Sequence, residues 1–253
     1  FAGRLIRGVK SGESPDWLKE KLAVIGLRPI SALVDITNLM TIAHCRPLHV
    51  FDADKLNGDI HVRLARCGEK LLALDGKEYA LDTEMTVIAD EEKAEALGGV
   101  MGGEVTGCTE ATVNVFVESA YFDPVRTAAT GRKLSLQSDA RFRFERGVDP
   151  AFLEPGLELA TRLILEFCGG EPSGPVIAGG EPDWRRSHLL RKGRVESLGG
   201  VKVSDNETER ILKDLGFTVN AADEGWRVGV PSWRPDIAGE ADLVQEVVRI
   251  HGY

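Results

Sequence analysis

An α+β fold in two unequal domains is what this sequence predicts, and three patterns carry that expectation. Short runs alternating between apolar and polar residues recur from Ile60 to Ser119, the period of half-buried strands. Phe152–Phe167 instead repeats its apolar residues at helical spacing, with Leu153, Leu157, Ala160 and Ile164 in line. Around Gly179–Ser187 the composition turns to glycine, proline and charge, and a helix–hairpin–helix pattern follows. The predicted domains are therefore 1–182 and 183–253, the second a small winged-helix-like module.

Taken in order, Leu5–Val9 alternates like a short strand. Ser14-Pro15-Asp16 predicts a helix start with Ser14 as cap; Trp17, Leu22 and Ile25 form its apolar stripe, and Gly26 ends it. Arg28–Asp54 reads as a strand, then a helix or loop. Ile60–Leu64 alternates. Leu71–Leu74 and Lys77–Ala80 flank Asp75-Gly76, a hairpin signal because Gly readily takes positive φ. Thr86–Ala89, Ala94–Leu97 and Thr112–Ser119 read as further strands, and Phe122-Asp123-Pro124 starts a short helix. Gly169-Gly170 stops the long helix, and Val176–Ala178 returns one strand to the sheet. In the second domain Ser204-x-x-Glu207 predicts a capping box, and Asp223-Glu224-Gly225 joins the strands Phe217–Val219 and Trp226–Val230. A last helix carries Asp242, Glu246 and Arg249, while Trp226 and Trp233 are expected in the core.

The totals bound the function. With 253 residues, 43% of them hydrophobic, there is ample material for a core. A formal charge of −9 and a pI near 5.2 exclude a simple basic nucleic-acid binder, so any such contact is local or shared with another chain. No stretch reaches the ~18 apolar residues of a membrane span, and none reads as a signal peptide. Cys45, Cys67, Cys108 and Cys168 show no CxxC pairing, which predicts a reduced, cytoplasmic setting and no metal knuckle. A start at Phe1 without methionine predicts a piece of something longer.

Polar groups crowd one apolar run. Between Arg28 and Asp54 lie Asp35, Thr37, Asn38, His44, Cys45, Arg46 and His49. Each buried polar atom left without a partner costs roughly 1–3 kcal/mol, so this run is a candidate site wall. His49 alone reads as a core or edge histidine; with Thr37, Asn38 and Phe51-Asp52 nearby the functional reading becomes the better one. Glu118 faces away from the valines of its strand and reads either as solvated or as an enclosed carboxylate needing a donor. Gly98–Gly103 (GGVMGG) is a tight connection or a wall where backbone N–H groups approach a ligand, and it lacks a P-loop ending. Arg141, Arg143 and Arg146 read as an ion-pair set with Glu145 and Asp149, or as phosphate contacts. Asp242 and Glu246, four apart, share a helix face; spacing alone favours an exposed acidic face, though with Asp236 they could hold a hard cation.

Longer stretches then match a family in order: RPISALVDITNLM, RPLHVFDADK, GGVMGG, FVESAYFDP, SDARFRFERGVDP and VPSWRPDIAGEADLVQEVVRIHGY. From Arg28 to Tyr253 the chain resembles the central part of bacterial phenylalanine–tRNA ligase β subunits. The resemblance implies a mixed-sheet editing domain that hydrolyses tyrosine wrongly esterified to the phenylalanine tRNA, then a small domain associated with nucleic-acid binding. It implies catalytic roles for His49, Thr37 and Asn38 and substrate contacts at Arg28, Gly99, Gly102, Glu118, Ser138 and Ala140. It also implies magnesium at Asp236, Asp242 and Glu246, shared with the α subunit of an α2β2 ligase that uses ATP. Three departures stand out. Gln245 sits where a glutamate is usual, Cys45-Arg46 where Gly-Gln is common, which would alter the rim, and Ser138 where threonine is frequent. No Ser-His-Asp or Cys-His nucleophile set is evident, so a positioned water is expected to do the hydrolysis. The rival expectation is a non-catalytic module for subunit assembly and tRNA or DNA binding.

Overall fold

Alternation along two strands decides the first half of the chain. In β9 (Val115–Ser119) Val115 and Val117 point one way, Phe116 and Glu118 the other. In β2 (Leu48–Asp52) Val50 joins the valines, while His49 and Phe51 share the opposite face. Opposite each other across that pairing stand His49 and Glu118.

The computed structural model describes Phe1–Tyr253 and divides into two compact units, Phe1–Gly180 and Glu181–Tyr253. The first unit runs β1 (Ala2–Arg7), α1 (Asp16–Val24), α2 (Ala32–Ala43), β2, β3 (His61–Leu64), β4 (Lys70–Leu72), β5 (Glu78–Ala80), β6 (Thr86–Ala89), β7 (Ala94–Leu97), β8 (Met101–Gly102), β9, α3 (Pro124–Lys133), α4 (Asp139–Phe144), α5 (Leu153–Cys168), β10 (Glu171–Pro172) and β11 (Val176–Ile177). One sheet has the order β10-β1-β9-β2, with β11 also on β1. A second has the order β3-β6-β7-β8, and β4 pairs with β5. The α+β expectation holds, but every strand pair is antiparallel, so neither sheet is mixed.

Each face of the first sheet has its own core. The valine face takes Ile36 and Met40 of α2 with Leu157, Ala160 and Ile164 of α5. On the other face Phe51 meets Ile88 and Ala96 of the second sheet, together with Phe122 and Phe144. Gly3 of β1 lies beneath the ring of Phe116, where any Cβ would fall 2.1 Å from Cζ. That contact requires glycine.

The Arg28–Asp54 run departs from expectation: it is a helix followed by a strand. Leu33, Ile36 and Met40 fall on one helical face, and Ser31 Oγ accepts from the Val34 N–H at 3.5 Å to cap it. Ser14 is no cap either. Its hydroxyl donates to buried Asp35 at 2.6 Å, tying the start of α1 to α2. The buried residues of α1 are Leu18 and Leu22, while Trp17 and Ile25 stay exposed.

In the second unit β12 (Ser187–Arg191), α6 (Arg194–Gly199), α7 (Asp205–Asp214), β13 (Thr218–Ala222), β14 (Gly225–Gly229) and α8 (Glu240–His251) form a three-stranded sheet, order β12-β14-β13, under three helices. Leu190, Ile211, Phe217, Trp226, Leu243 and Val247 fill its core. Ser204 caps α7 by accepting from the Glu207 N–H, but the Glu207 carboxylate turns to His251 instead of closing a box. Trp233 is 55% exposed, against expectation, because its ring rests on Gly216 at the edge of the unit and not inside it.

Candidate functional site

Small residues leave a hollow between the two sheets. Ala96, Gly99, Gly102 and Ala140 line it, with Pro47, His49, Ile88, Glu118 and Phe144 among the rest of its wall. It holds ≈ 360 Å³ of space free of protein atoms, mouth included, within the ~300–1,000 Å³ usual for small-molecule sites. The lining is mostly apolar, and only two of its side chains are ionisable.

Those two are the facing pair on β2 and β9. Glu118 is 5% exposed, and its Oε2 is buried with no hydrogen-bond partner. His49 is half-buried as a residue, but its Nε2 is likewise enclosed and unpartnered. Burial pushes the Glu118 carboxyl up to about 8, the Phe1 amine pulling the other way, and it pushes the His49 imidazole down to about 4. Both groups are thus neutral at pH 7. The ring of His49 stands edge-on to Phe51 at 4.4 Å and lies directly over Gly102, where a Cβ would come within 2.3 Å of Cε1. Gly102 therefore lets the imidazole lie flat against the backbone of β8.

Of the residues expected at the site, the cavity gathers His49, Gly99, Gly102, Glu118 and Ala140. Ser138 stands beside it as the cap of α4: its hydroxyl donates to the Val100 carbonyl at 2.5 Å and accepts from the Arg141 N–H. That pins Ala140 and Phe144 to the glycine loop. Thr37 and Asn38 do not line the cavity, because α2 packs its apolar face on the valine side of the sheet. Thr37 is turned back on its own helix, donating to the Val34 carbonyl at 2.7 Å. Arg28 is exposed ahead of α2. Ile88, Ala96 and Phe144 escaped the sequence reading; the one signal was small Ala96 inside a strand of four buried residues.

The Cys45-Arg46 departure acts in the interior and not at a rim. Cys45 has φ 49°, a left-handed value that favours glycine, at the end of α2. Arg46 is 0% exposed and donates to the carbonyls of Ala120 and Asp149, binding the segment after β9 to the start of α5. The other arginines are also engaged. Arg141 is buried and holds Glu145 and the Leu136 carbonyl, Arg143 pairs with Asp139, and Arg146 pairs with Glu145. The ion-pair reading of that run fits these contacts.

In the second unit the expected magnesium set does not fit a cation within this chain. Arg234 donates through Nε and Nη2 to both oxygens of Asp236, at 2.8 and 2.6 Å, and through Nη1 to Glu246 at 2.8 Å. Arg249 adds a bond to Glu246 at 2.7 Å. Asp242 accepts from the N–H groups of Ala238 and Gly239, capping α8. A guanidinium already fills the space between two of the carboxylates, the third is turned to backbone, and no group of three or more His, Cys, Asp or Glu side chains is placed to hold a metal. The guanidinium bonds hold the Glu246 carboxyl down at about 2.

Comparison with known proteins agrees with this two-unit layout. The B3/4 domain model matches residues 1–169, and the tRNA synthetase B5 domain model matches residues 189–253. The phenylalanine–tRNA ligase β subunit of Paramagnetospirillum magneticum is 65% identical over 100% of this chain and 32% of its own length. That of Ruegeria pomeroyi is 58% identical over 99% of this chain and 31% of its own. The chain thus spans about a third of the length of these relatives. A solved N-terminal fragment of the phenylalanyl-tRNA synthetase β subunit from Pyrococcus horikoshii aligns at 15% identity with a TM-score of 0.43, covering 100% of this chain and 71% of that one. The chain belongs to the B3/4 domain family and carries a tRNA synthetase B5 domain behind it, as a segment of the phenylalanine–tRNA ligase β subunit type.

Proposed function

We propose that the cavity is an editing pocket, which takes the tyrosyl end of a mischarged phenylalanine tRNA and hydrolyses its ester. The observation that carries this reading is the pair of enclosed, unpartnered polar atoms, Glu118 Oε2 and His49 Nε2, set side by side in an otherwise apolar hollow. An apolar ring fits the wall, and a hydroxyl gives Glu118 the partner it lacks. The neutral imidazole of His49 serves to orient a water or the ester carbonyl. Such a site is needed because an apolar synthetic pocket rejects an isostere bearing one extra hydroxyl only about 10²-fold. A second pocket that demands the hydroxyl reverses the preference.

In this reading the longer protein is the β chain of a cytoplasmic α2β2 phenylalanine–tRNA ligase, with tRNA and ATP as substrates of the whole assembly and synthesis carried out by α. Single-turnover deacylation of Tyr- and Phe-charged tRNA by the full-length ligase tests it. His49→Ala should slow both esters by about 10²-fold with little change in their ratio. Hydrolysis unaffected by His49→Ala would remove the pocket from the reaction.

Magnesium at Asp236, Asp242 and Glu246 belongs to the same proposal only as a site completed by oxygen ligands from α, with Arg234 turned aside. Calorimetric titration should find weak or no binding by this chain and tighter binding with α present. Tight stoichiometric binding by the chain alone, unchanged by Asp242→Ala, would overturn the shared site.

A further inference from the structure

We propose that Glu118 reads the substrate hydroxyl as a neutral carboxylic acid, and that the pocket loses its preference for tyrosine as this acid ionises. The inference rests on the editing reading above and concerns how its selecting group works.

The surroundings of Glu118 contain almost nothing to support a carboxylate. Opposite it on β1 is Gly3, which has no side chain to offer. Opposite it on β2 is His49, an uncharged imidazole. Across the cavity the second sheet supplies Ile88, Ala96 and Leu97, and α4 supplies Ala140 and Phe144. The positive groups in the neighbourhood are the Phe1 amine, bonded to the Ala178 carbonyl, and Arg46, whose guanidinium is taken up by the carbonyls of Ala120 and Asp149. No group donates a hydrogen bond to Oε2. An unpaired buried carboxylate is costly, and the usual escape is to keep the proton. The direction of the Glu118 shift agrees with this geometry.

A carboxylic acid suits the task, because it carries a carbonyl acceptor and a hydroxyl donor in one group. Its carbonyl accepts the phenol hydrogen, and the phenol oxygen accepts the acid's own. Phenylalanine offers neither, so its ring leaves the acid unmatched. Once ionised, the group recruits water and no longer favours an apolar ring beside it.

The neutral amide of glutamine separates the possibilities. Single-turnover deacylation of Tyr- and Phe-tRNA would be followed for wild-type full-length ligase, Glu118→Gln and Glu118→Ala, from below to above pH 8. Rates are corrected for spontaneous ester hydrolysis, and melting curves check folding. Wild type should lose its tyrosine preference above its ionisation, approaching about tenfold per pH unit. Glu118→Gln should keep most of that preference and hold it through the same range, while Glu118→Ala loses it at every pH. If Glu118→Ala keeps the preference, the hydroxyl is read elsewhere and the Glu118 role in the editing reading fails. If Glu118→Ala and Glu118→Gln both lose it, or if wild type is as selective above the ionisation as below, the neutral-acid inference is overturned and the editing reading survives.

Discussion

Ala140→Trp is expected to cut hydrolysis of Tyr-tRNA by about 10²-fold or more, since even a ~1 Å misplacement of substrate can cost that much, while the chain still folds. Ala140 sits in the first turn of α4, two residues after its cap, with its methyl group on the cavity wall. The hollow exists because Ala96, Gly99, Gly102 and Ala140 are small, so an indole at one of them refills the space meant for a ring. Ser138 still caps the helix, and Phe144 still packs on Phe122 at 5.2 Å, so the frame is kept. Overpacking costs typically 1–3 kcal/mol, and the half-buried position has a mouth toward which the indole can lean. Deacylation and melting must therefore be measured together. A folded Ala140→Trp variant with unchanged hydrolysis would remove Ala140 from the pocket.

The sequence showed where elements lie better than which face they bury. Gly26, Asp75-Gly76 and Gly169-Gly170 mark real chain reversals, because left-handed backbone at Gly26, Gly76 and Gly169 leaves a local signature. The Arg28–Asp54 run was misread because an apolar run interrupted by Asp35 and Thr37 fits either period. What decided it was tertiary: Leu33, Ile36 and Met40 reach the valine face, and Ser14 ties down Asp35. Pocket residues were legible where one polar atom sits in an apolar strand, as with His49 and Glu118. Thr37 and Asn38 gave the same signal from the wrong side of the sheet, and sequence spacing cannot say which face a helix will cover. The acidic residues of α8 show the same limit. Their spacing fits a cation, but Arg234, twelve residues before Glu246, arrives from the preceding loop and pairs with two of them. Arg46 is the largest surprise, since a charged residue next to a site motif suggests a rim and its burial against two carbonyls has no local pattern.

Glu118→Gln should make the first unit more stable above neutral pH and flatten its response to pH. The sign follows from which state holds the proton. The Glu118 carboxyl rises from 4.5 to about 8 on folding, so the native state keeps a proton that the unfolded chain has lost between those values. Its favourable contribution is complete below 4.5 and is lost as pH rises toward 8. The His49 imidazole falls from 6.5 to about 4, so its contribution is present above 6.5 and lost as pH falls toward 4. Between 4.5 and 6.5 the two slopes oppose each other; from 6.5 to 8 only the carboxyl remains, and wild-type stability declines. At full slope that decline is about 2 kcal/mol across the interval, from ~1.36 kcal/mol per pH unit. The Phe1 amine, pushed below its ordinary value by burial, works in the opposite sense near pH 8. The informative quantity is therefore the difference between the wild-type and Glu118→Gln curves, measured by calorimetry on the transition of the first unit. Glutamine keeps the shape and cannot ionise, so the difference should widen steadily in its favour from pH 6.5 to pH 8. Parallel curves across that interval would mean that Glu118 ionises as readily in the native pocket as in water, and the enclosure argued for it would be wrong.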